Sequence, residues 1–193
     1  MCNNHPDFTK PEVLMPNTHR IKTLSRLMVA ICSIVMVSVP AWLIWYWANF
    51  ADYVPALQAQ RPKILISMDY ISGAQLLLGG LISLAASMLV IYALWQLRKL
   101  FVLFQQGVVF SAQTTRALNL FGIALLGSVI LKPITTAILS VLLTWGNPPG
   151  QRSVTIALGS NELMLLLFAA TFLVITWVFR EGQRLSQENA EFV

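Results

Sequence analysis

Two long runs without a charged residue constrain this chain more than any other feature. No Asp, Glu, Lys or Arg occurs between Arg26 and Asp52, or between Asp69 and Arg98. Each run exceeds the ~20 residues that an α-helix needs to cross the hydrocarbon of a bilayer. Only 11% of all residues are charged, against about 25% in a soluble domain. The chain is therefore predicted to be an integral membrane protein, which excludes a soluble enzyme, a disordered chain and a protein that binds nucleic acid directly.

Two further apolar runs raise the predicted number of membrane spans to four. The third contains Lys132, but its Leu, Ile, Val and Phe residues contribute about −5 to −9 kcal/mol to insertion, which outweighs about 3 kcal/mol for one central lysine. The fourth carries only Glu162, near its start. The predicted fold class is all-α, with two helical hairpins formed by spans 1–2 and 3–4. The spans lie at about 27–50, 73–95, 118–145 and 158–179.

The ends of the chain are predicted to be short tails. Residues 1–26 form an N-tail that is largely disordered because it contains Pro6, Pro11 and Pro16. Asn17 or Thr18 is the expected cap of a helix that leads into span 1. Residues 27–185 form the transmembrane domain, and residues 186–193 form a C-tail.

Basic residues predict the orientation of the spans, because Lys and Arg accumulate on the cytoplasmic side. The side with both termini and the loop between spans 2 and 3 carries nine of them, and the opposite side carries only Arg61, Lys63 and Arg152. Both termini are therefore predicted to be cytoplasmic. The nine residues are Lys10, Arg20, Lys22, Arg26, Arg98, Lys99, Arg116, Arg180 and Arg184.

A motif between spans 2 and 3 predicts a helical hairpin that projects into the cytosol. Span 2 continues without a helix breaker to Gly107, which suits a left-handed helix end, and Ser111 suits the cap of the next helix. The pattern Phe-x-x-Gly-x-x-(Phe/Leu)-Ser recurs after span 4, where its glycine is likewise expected to end a helix. We take both copies as candidate docking sites for a partner. Their residues are Phe104, Gly107, Phe110 and Ser111, and Phe179, Gly182 and Leu185.

At these two motifs the sequence resembles a bacterial family of small multi-pass membrane proteins known as domain of unknown function 2975 (DUF2975). The matching segments are Leu100-Phe101 through Phe110-Ser111, Arg116-Ala117-Leu118, Gly122, and the closing stretch from Phe179 to Asn189. The resemblance implies a bacterial inner-membrane protein with no established activity. It also implies a gene neighbour that encodes a small helix-turn-helix regulator, which suggests the membrane component of a regulatory pair.

Lys132 and Glu162 are the candidate polar residues inside the membrane. An ionisable residue in a span is costly and usually faces the interior of the protein. A pair between them requires tilt or a shifted span 4, because their expected depths differ by about 13 Å. We favour the alternative that Lys132 alone extends its long side chain towards the membrane surface. Binding of an anionic ligand and proton relay remain open roles.

Span 2 also carries a track of small residues, Gly79, Ser83 and Ser87, at every fourth position. Such a track allows another helix to approach closely. We expect it to pack against a helix of the same chain, with dimerisation as the alternative.

The sequence contains no catalytic constellation, so we expect no enzyme, no cofactor and no metal site. Cys2, His5 and His19 match no metal-binding spacing. The leading hypothesis is a regulatory or scaffold protein that lies in membrane lipid and binds a soluble partner, such as a helix-turn-helix regulator, at its cytoplasmic face. The alternative is a transporter or channel subunit, which would act as a homo-oligomer because four spans are few for a pore.

Overall fold

The computed structural model describes residues 18–60, 66–107, 111–156 and 159–191. Within these ranges all the regular elements are helical, and four of the helices are long and apolar enough to cross a membrane. The all-α fold with four spans is thus confirmed. The helices are α1 Thr18–Ala48, α2 Phe50–Gln60, a short 3-10 helix Met68–Tyr70, α3 Gly73–Gln105, α4 Ala112–Thr144 and α5 Ser160–Glu191.

The tails differ in how much of them the structure describes. Residues 1–17, including Cys2 and His5, lie outside the described residues. Helix α1 begins at Thr18, so the last nine residues of the predicted N-tail are helical. Helix α5 continues to Glu191, so most of the predicted C-tail also belongs to a helix.

The long helices pack in chain order. Helix α1 lies along α3, α3 along α4, and α4 along α5, and the first two of these interfaces are more extensive than the third. Small residues permit this packing, as expected where lipid gives little hydrophobic drive for helices to associate. Gly122 of α4 is one example, since a Cβ there would lie 2.9 Å from a Leu173 methyl group of α5.

The predicted hairpin between α3 and α4 has the expected helix ends. Gly107 follows α3 with φ +80°, a conformation that favours glycine. Ser111 precedes α4, and its hydroxyl accepts a hydrogen bond from the Thr114 N–H at 3.1 Å. Beneath the tip, Leu100 of α3 packs against Ala117 and Leu118 of α4. The two helices are therefore joined by side-chain packing up to their shared end.

The second glycine of the repeated motif does not end a helix, and that expectation is wrong. Helix α5 passes through Gly182 without a left-handed residue. A glycine inside a helix costs only about 1 kcal/mol relative to alanine, and the residues that follow Gly182 are good helix formers. An ion pair between Glu181 and Arg184, at 3.1 Å, supports the same turn. At Gly107, in contrast, two β-branched valines follow in the sequence and the chain must reverse direction.

The opposite end of the molecule contains an element that the sequence did not predict, helix α2. The chain breaks its helix at Asn49 and resumes at Phe50. Phe50 and Val54 of α2 are buried in a cluster with Ile66 and Leu143. Their spacing of four residues places them on one face of α2, which therefore packs onto the ends of the spans.

Candidate functional site

The connection between α4 and α5 turns back towards the middle of the membrane before α5 begins. The Thr144 hydroxyl donates to the Ser140 carbonyl of its own helix at 2.7 Å and accepts from the Ser153 N–H at 3.2 Å. Two residues later, the Thr155 N–H donates to the Ser140 hydroxyl at 2.9 Å. Ser140 lies about 6 Å deeper along α4 than Thr144. The extended segment 151–156 thus descends beside α4, and the two side-chain hydroxyls satisfy backbone groups that lipid cannot satisfy.

Because of this descent, Glu162 lies opposite Lys132 and the two form an ion pair. Lys132 Nζ is 2.5 Å from Glu162 Oε1. The other carboxylate oxygen, Oε2, accepts the Gly159 N–H at 2.9 Å, in the first turn of α5. A carboxylate is favoured there because the N-terminus of a helix carries partial positive charge. Our preference for a solitary Lys132 is therefore wrong, and the shifted start of α5 is the reason.

The ion pair lines a cavity of about 420 Å³ within the membrane. All four spanning helices contribute to its wall. Besides Lys132 and Glu162, the lining includes Leu43 from α1 and Leu165 from α5. The remaining lining residues come from α3 and α4 and include five with hydroxyl groups: Ser83, Ser87, Ser128, Thr135 and Thr136. A mostly apolar cavity with a few polar groups, in the range of about 300–1,000 Å³, is typical of small-molecule sites.

The side-chain exposures of the pair show which partner faces outwards. The Lys132 side chain is 53% exposed and the Glu162 side chain 11% exposed. Glu162 is thus held by two contacts and enclosed, whereas Lys132 has two further ammonium donors and open space around them. This arrangement is able to hold an anionic or hydrogen-bond-accepting group in the cavity without placing an unpaired charge in lipid.

Sequence reasoning missed Ser128, Thr135 and Thr136 as parts of this site. A signal for two of them is present, because Ser128, Lys132 and Thr135 follow the i, i+4, i+7 spacing of one helix face. All three hydroxyls donate to carbonyls within α4. Their oxygens keep acceptor capacity towards the cavity.

The small-residue track of α3 lies against α1 of the same chain. The Trp47 ring of α1 covers buried Gly79, and the indole N–H donates to the Ser83 hydroxyl at 3.1 Å. Ser87, one turn further, lines the cavity. Trp47 therefore joins α1 to α3.

The candidate docking residues of the first motif lie at the tip of the α3–α4 hairpin. Phe104 is half-buried and packs beside Leu100. Gly107 is exposed at the tip, and Ser111 caps α4. Phe110 lies outside the described residues. The tip thus combines one aromatic residue fixed by packing with an exposed turn.

The second set lies on a continuous helix instead of a turn. Phe179 and Gly182 are exposed on α5. The Leu185 side chain lies outside what the structure describes, although its backbone is helical. The two motifs are therefore alike in sequence and different in local structure.

These features define a class: a multi-pass membrane protein whose four spanning helices line a mostly apolar cavity that contains an ion pair. A family model described as "Protein of unknown function (DUF2975)" matches residues 24–193. The chain therefore belongs to this family, which confirms the resemblance seen in its motifs. No curated protein and no solved structure matches the chain.

Proposed function

We propose that this protein is a regulatory or scaffold component of the bacterial inner membrane, and that its cytoplasmic face binds a soluble partner. The excess of Lys and Arg on the side of the termini and the α3–α4 tip supports this orientation. Family membership assigns no activity to the protein.

The observation that carries the proposal is the structure of the hairpin tip. Helices α3 and α4 stay packed through Leu100, Ala117 and Leu118, and their ends are formed by Gly107 and Ser111. Helix ends that are held in place by packing lose little conformational entropy on binding. The tip therefore suits docking of a folded partner, such as a small helix-turn-helix regulator.

The cavity and the hairpin tip share the same pair of helices, α3 and α4. Ser83 and Ser87 of α3, and Lys132 of α4, line the cavity, and both helices continue without interruption to the tip. A ligand that separated α3 from α4 at the cavity would thus alter the tip. This connection supports a regulatory function above a purely structural one.

Co-purification tests the docking proposal. The full chain is extracted in mild detergent and used to capture the helix-turn-helix protein encoded beside its gene. The double variant Phe104→Ala/Phe110→Ala is expected to lose capture, because it removes both aromatic residues of the first motif. Trp145→Ala is the matched control, since Trp145 is 64% exposed at the opposite end of α4. Equal recovery with wild type and with the double variant would contradict docking at the tip.

A transporter or channel subunit is the second candidate, and the Lys132–Glu162 pair in the cavity is the observation that favours it. Intramembrane ion pairs often mark ion or proton pathways. Four spans would require a homo-oligomer to form a pore. In liposomes that contain a pH-sensitive dye, wild type is expected to conduct protons or ions and Lys132→Met is expected to lose this flux. Ile134→Met is a control, because Ile134 is exposed on α4 and does not line the cavity. Identical flux in wild type and Lys132→Met would exclude a role of this pair in transport.

A further inference from the structure

A second concave site lies between α3 and α4, close to the ends that form the hairpin tip. This groove has a volume of about 580 Å³ and is separate from the cavity of the ion pair. On α3 it extends from Tyr92 to Leu103, a distance of about 16 Å along the helix axis. On α4 its wall begins with Gln113 in the first turn and ends at Leu120. The N-terminal turn of α4, which attracts anions, thus forms one end of the groove.

The groove is strongly basic. Its lining includes Arg98, Lys99 and Arg116, and neither α3 nor α4 contains an Asp or Glu in its sequence. Two of the cations are held in position by neighbouring side chains. Lys99 Nζ lies 3.5 Å from the centroid of the Trp95 ring, and Arg98 Nε donates to the Ser33 hydroxyl of α1 at 3.0 Å. No carboxylate among the described residues pairs with these cations, so the groove has an uncompensated positive charge.

The side chain of Gln96 adds a polar group to the groove that is independent of its charge. Gln96 lines the groove and is only 4% exposed, yet within the described part of the chain its side chain has no hydrogen-bond partner. A side-chain amide offers both N–H donors and a carbonyl acceptor to a ligand. Gln96 lies one helical turn from Lys99, so its amide and the ammonium group are able to contact the same ligand.

The position of the groove along the membrane normal identifies the kind of anion. Tyr92 and Trp95 line it, and both ring types favour the headgroup level of a bilayer. The wall has a cationic part, with Lys99 and Arg116, and an apolar part, with Val102, Leu103 and Leu120. A ligand that fits both parts carries an anionic group near an apolar chain. We propose that this groove binds an anionic phospholipid, with the headgroup phosphate between Lys99 and Arg116 and within reach of the Gln96 amide. This site is independent of the docking surface at the tip.

Titration of lipids into the full-length protein in neutral detergent tests the assignment, with native mass spectrometry to count bound molecules. Phosphatidylglycerol is expected to bind more tightly than phosphatidylcholine of the same chain length. The variant Lys99→Gln/Arg116→Gln is expected to bind phosphatidylglycerol about 25-fold more weakly, since each basic residue near an anionic headgroup contributes about fivefold. Arg180→Gln is the matched control, because Arg180 is an exposed cation on α5 outside the groove. It is expected to leave the affinity unchanged.

Gln96→Leu separates binding from packing. If the amide contacts the headgroup, this variant binds phosphatidylglycerol more weakly while the lipid-free protein melts at the same temperature or higher. Unchanged affinity in Gln96→Leu and in the double variant would overturn the proposal, as would equal affinity for phosphatidylcholine. If inorganic phosphate displaces the lipid completely at an equal concentration, the groove does not recognise a lipid. It would then be assigned to a soluble phosphate. If the double variant fails to fold, Arg116→Gln alone replaces it, because Arg116 is exposed, and the expected loss of affinity is then about fivefold.

Discussion

Adjacent glycines of α3, Gly79 and Gly80, are expected to respond oppositely to the same substitution. A Cβ at Gly79 would overlap the ring of Trp47, whereas a Cβ at Gly80 would lie at ordinary contact distance, 3.6 Å from Trp47 Cγ. The ring cannot move freely, because it stacks on Phe50 with a centroid distance of 5.0 Å. It also donates to the Ser83 hydroxyl. Phe50 itself is only 2% exposed.

The magnitude follows from these contacts. Overpacking of a constrained site costs about 1–3 kcal/mol, and the fixed ring of Trp47 places Gly79→Ala at the upper end. The gain in helix propensity from glycine to alanine returns about 1 kcal/mol. We therefore expect Gly79→Ala to lower the free energy of unfolding by about 2 kcal/mol. Gly80→Ala should raise the free energy of unfolding by about 1 kcal/mol, because it gains helix propensity without overpacking. The two variants should therefore differ by about 3 kcal/mol.

Unfolding in mixed micelles with increasing sodium dodecyl sulfate measures this difference, with far-ultraviolet circular dichroism as the readout. A double-mutant cycle with Trp47→Ala isolates the cause. In the Trp47→Ala background the overlap is gone, so Gly79→Ala should become neutral or stabilising. If Gly79→Ala is as stable as Gly80→Ala, or costs the same with and without the indole ring, the proposed close approach of α1 and α3 is refuted.

Three further predictions concern the ends and the interior of the spans. Gly107→Ala should lower the free energy of unfolding by about 1–2 kcal/mol, because the φ of Gly107 is positive. Gly182→Ala should raise it by about 1 kcal/mol, because Gly182 lies inside a helix. The same micelle assay compares the two variants, and equal shifts would contradict the two local structures. Glu162→Gln should lower the melting temperature in detergent because it leaves the Lys132 charge unpaired, and adding Lys132→Met should restore it; an additive double variant would argue against the pair. Ser140→Ala should increase proteolysis of segment 151–156 in the purified protein, since it removes the acceptor of the Thr155 N–H; cleavage as slow as in wild type would contradict the anchored return of this segment.

Most of the membrane fold could be predicted from local sequence. Charge-free runs longer than a bilayer is thick must span it as helices, because lipid offers no partner for backbone N–H and C=O groups. The ends at Gly107 and Ser111 followed from short-range rules of backbone conformation and capping. Such rules fail where the surrounding segment determines the conformation of a residue. Gly182 matches the pattern of Gly107, yet the sequence after it favours a continuing helix.

The candidate site, too, could be predicted only in part from the sequence. From sequence alone, Lys132 and Glu162 were the notable charged residues inside the spans, and Gly79 belonged to a close-packing face. Only the tertiary structure decided that the two charges meet, because their depths depend on where segment 151–156 runs. That path is set by the Ser140 and Thr144 hydroxyls of α4, and their spacing of four residues does not reveal which backbone groups they bind. Chain composition thus determined that the protein crosses the membrane. Contacts between distant residues determined that Lys132 and Glu162 meet in a cavity between the helices.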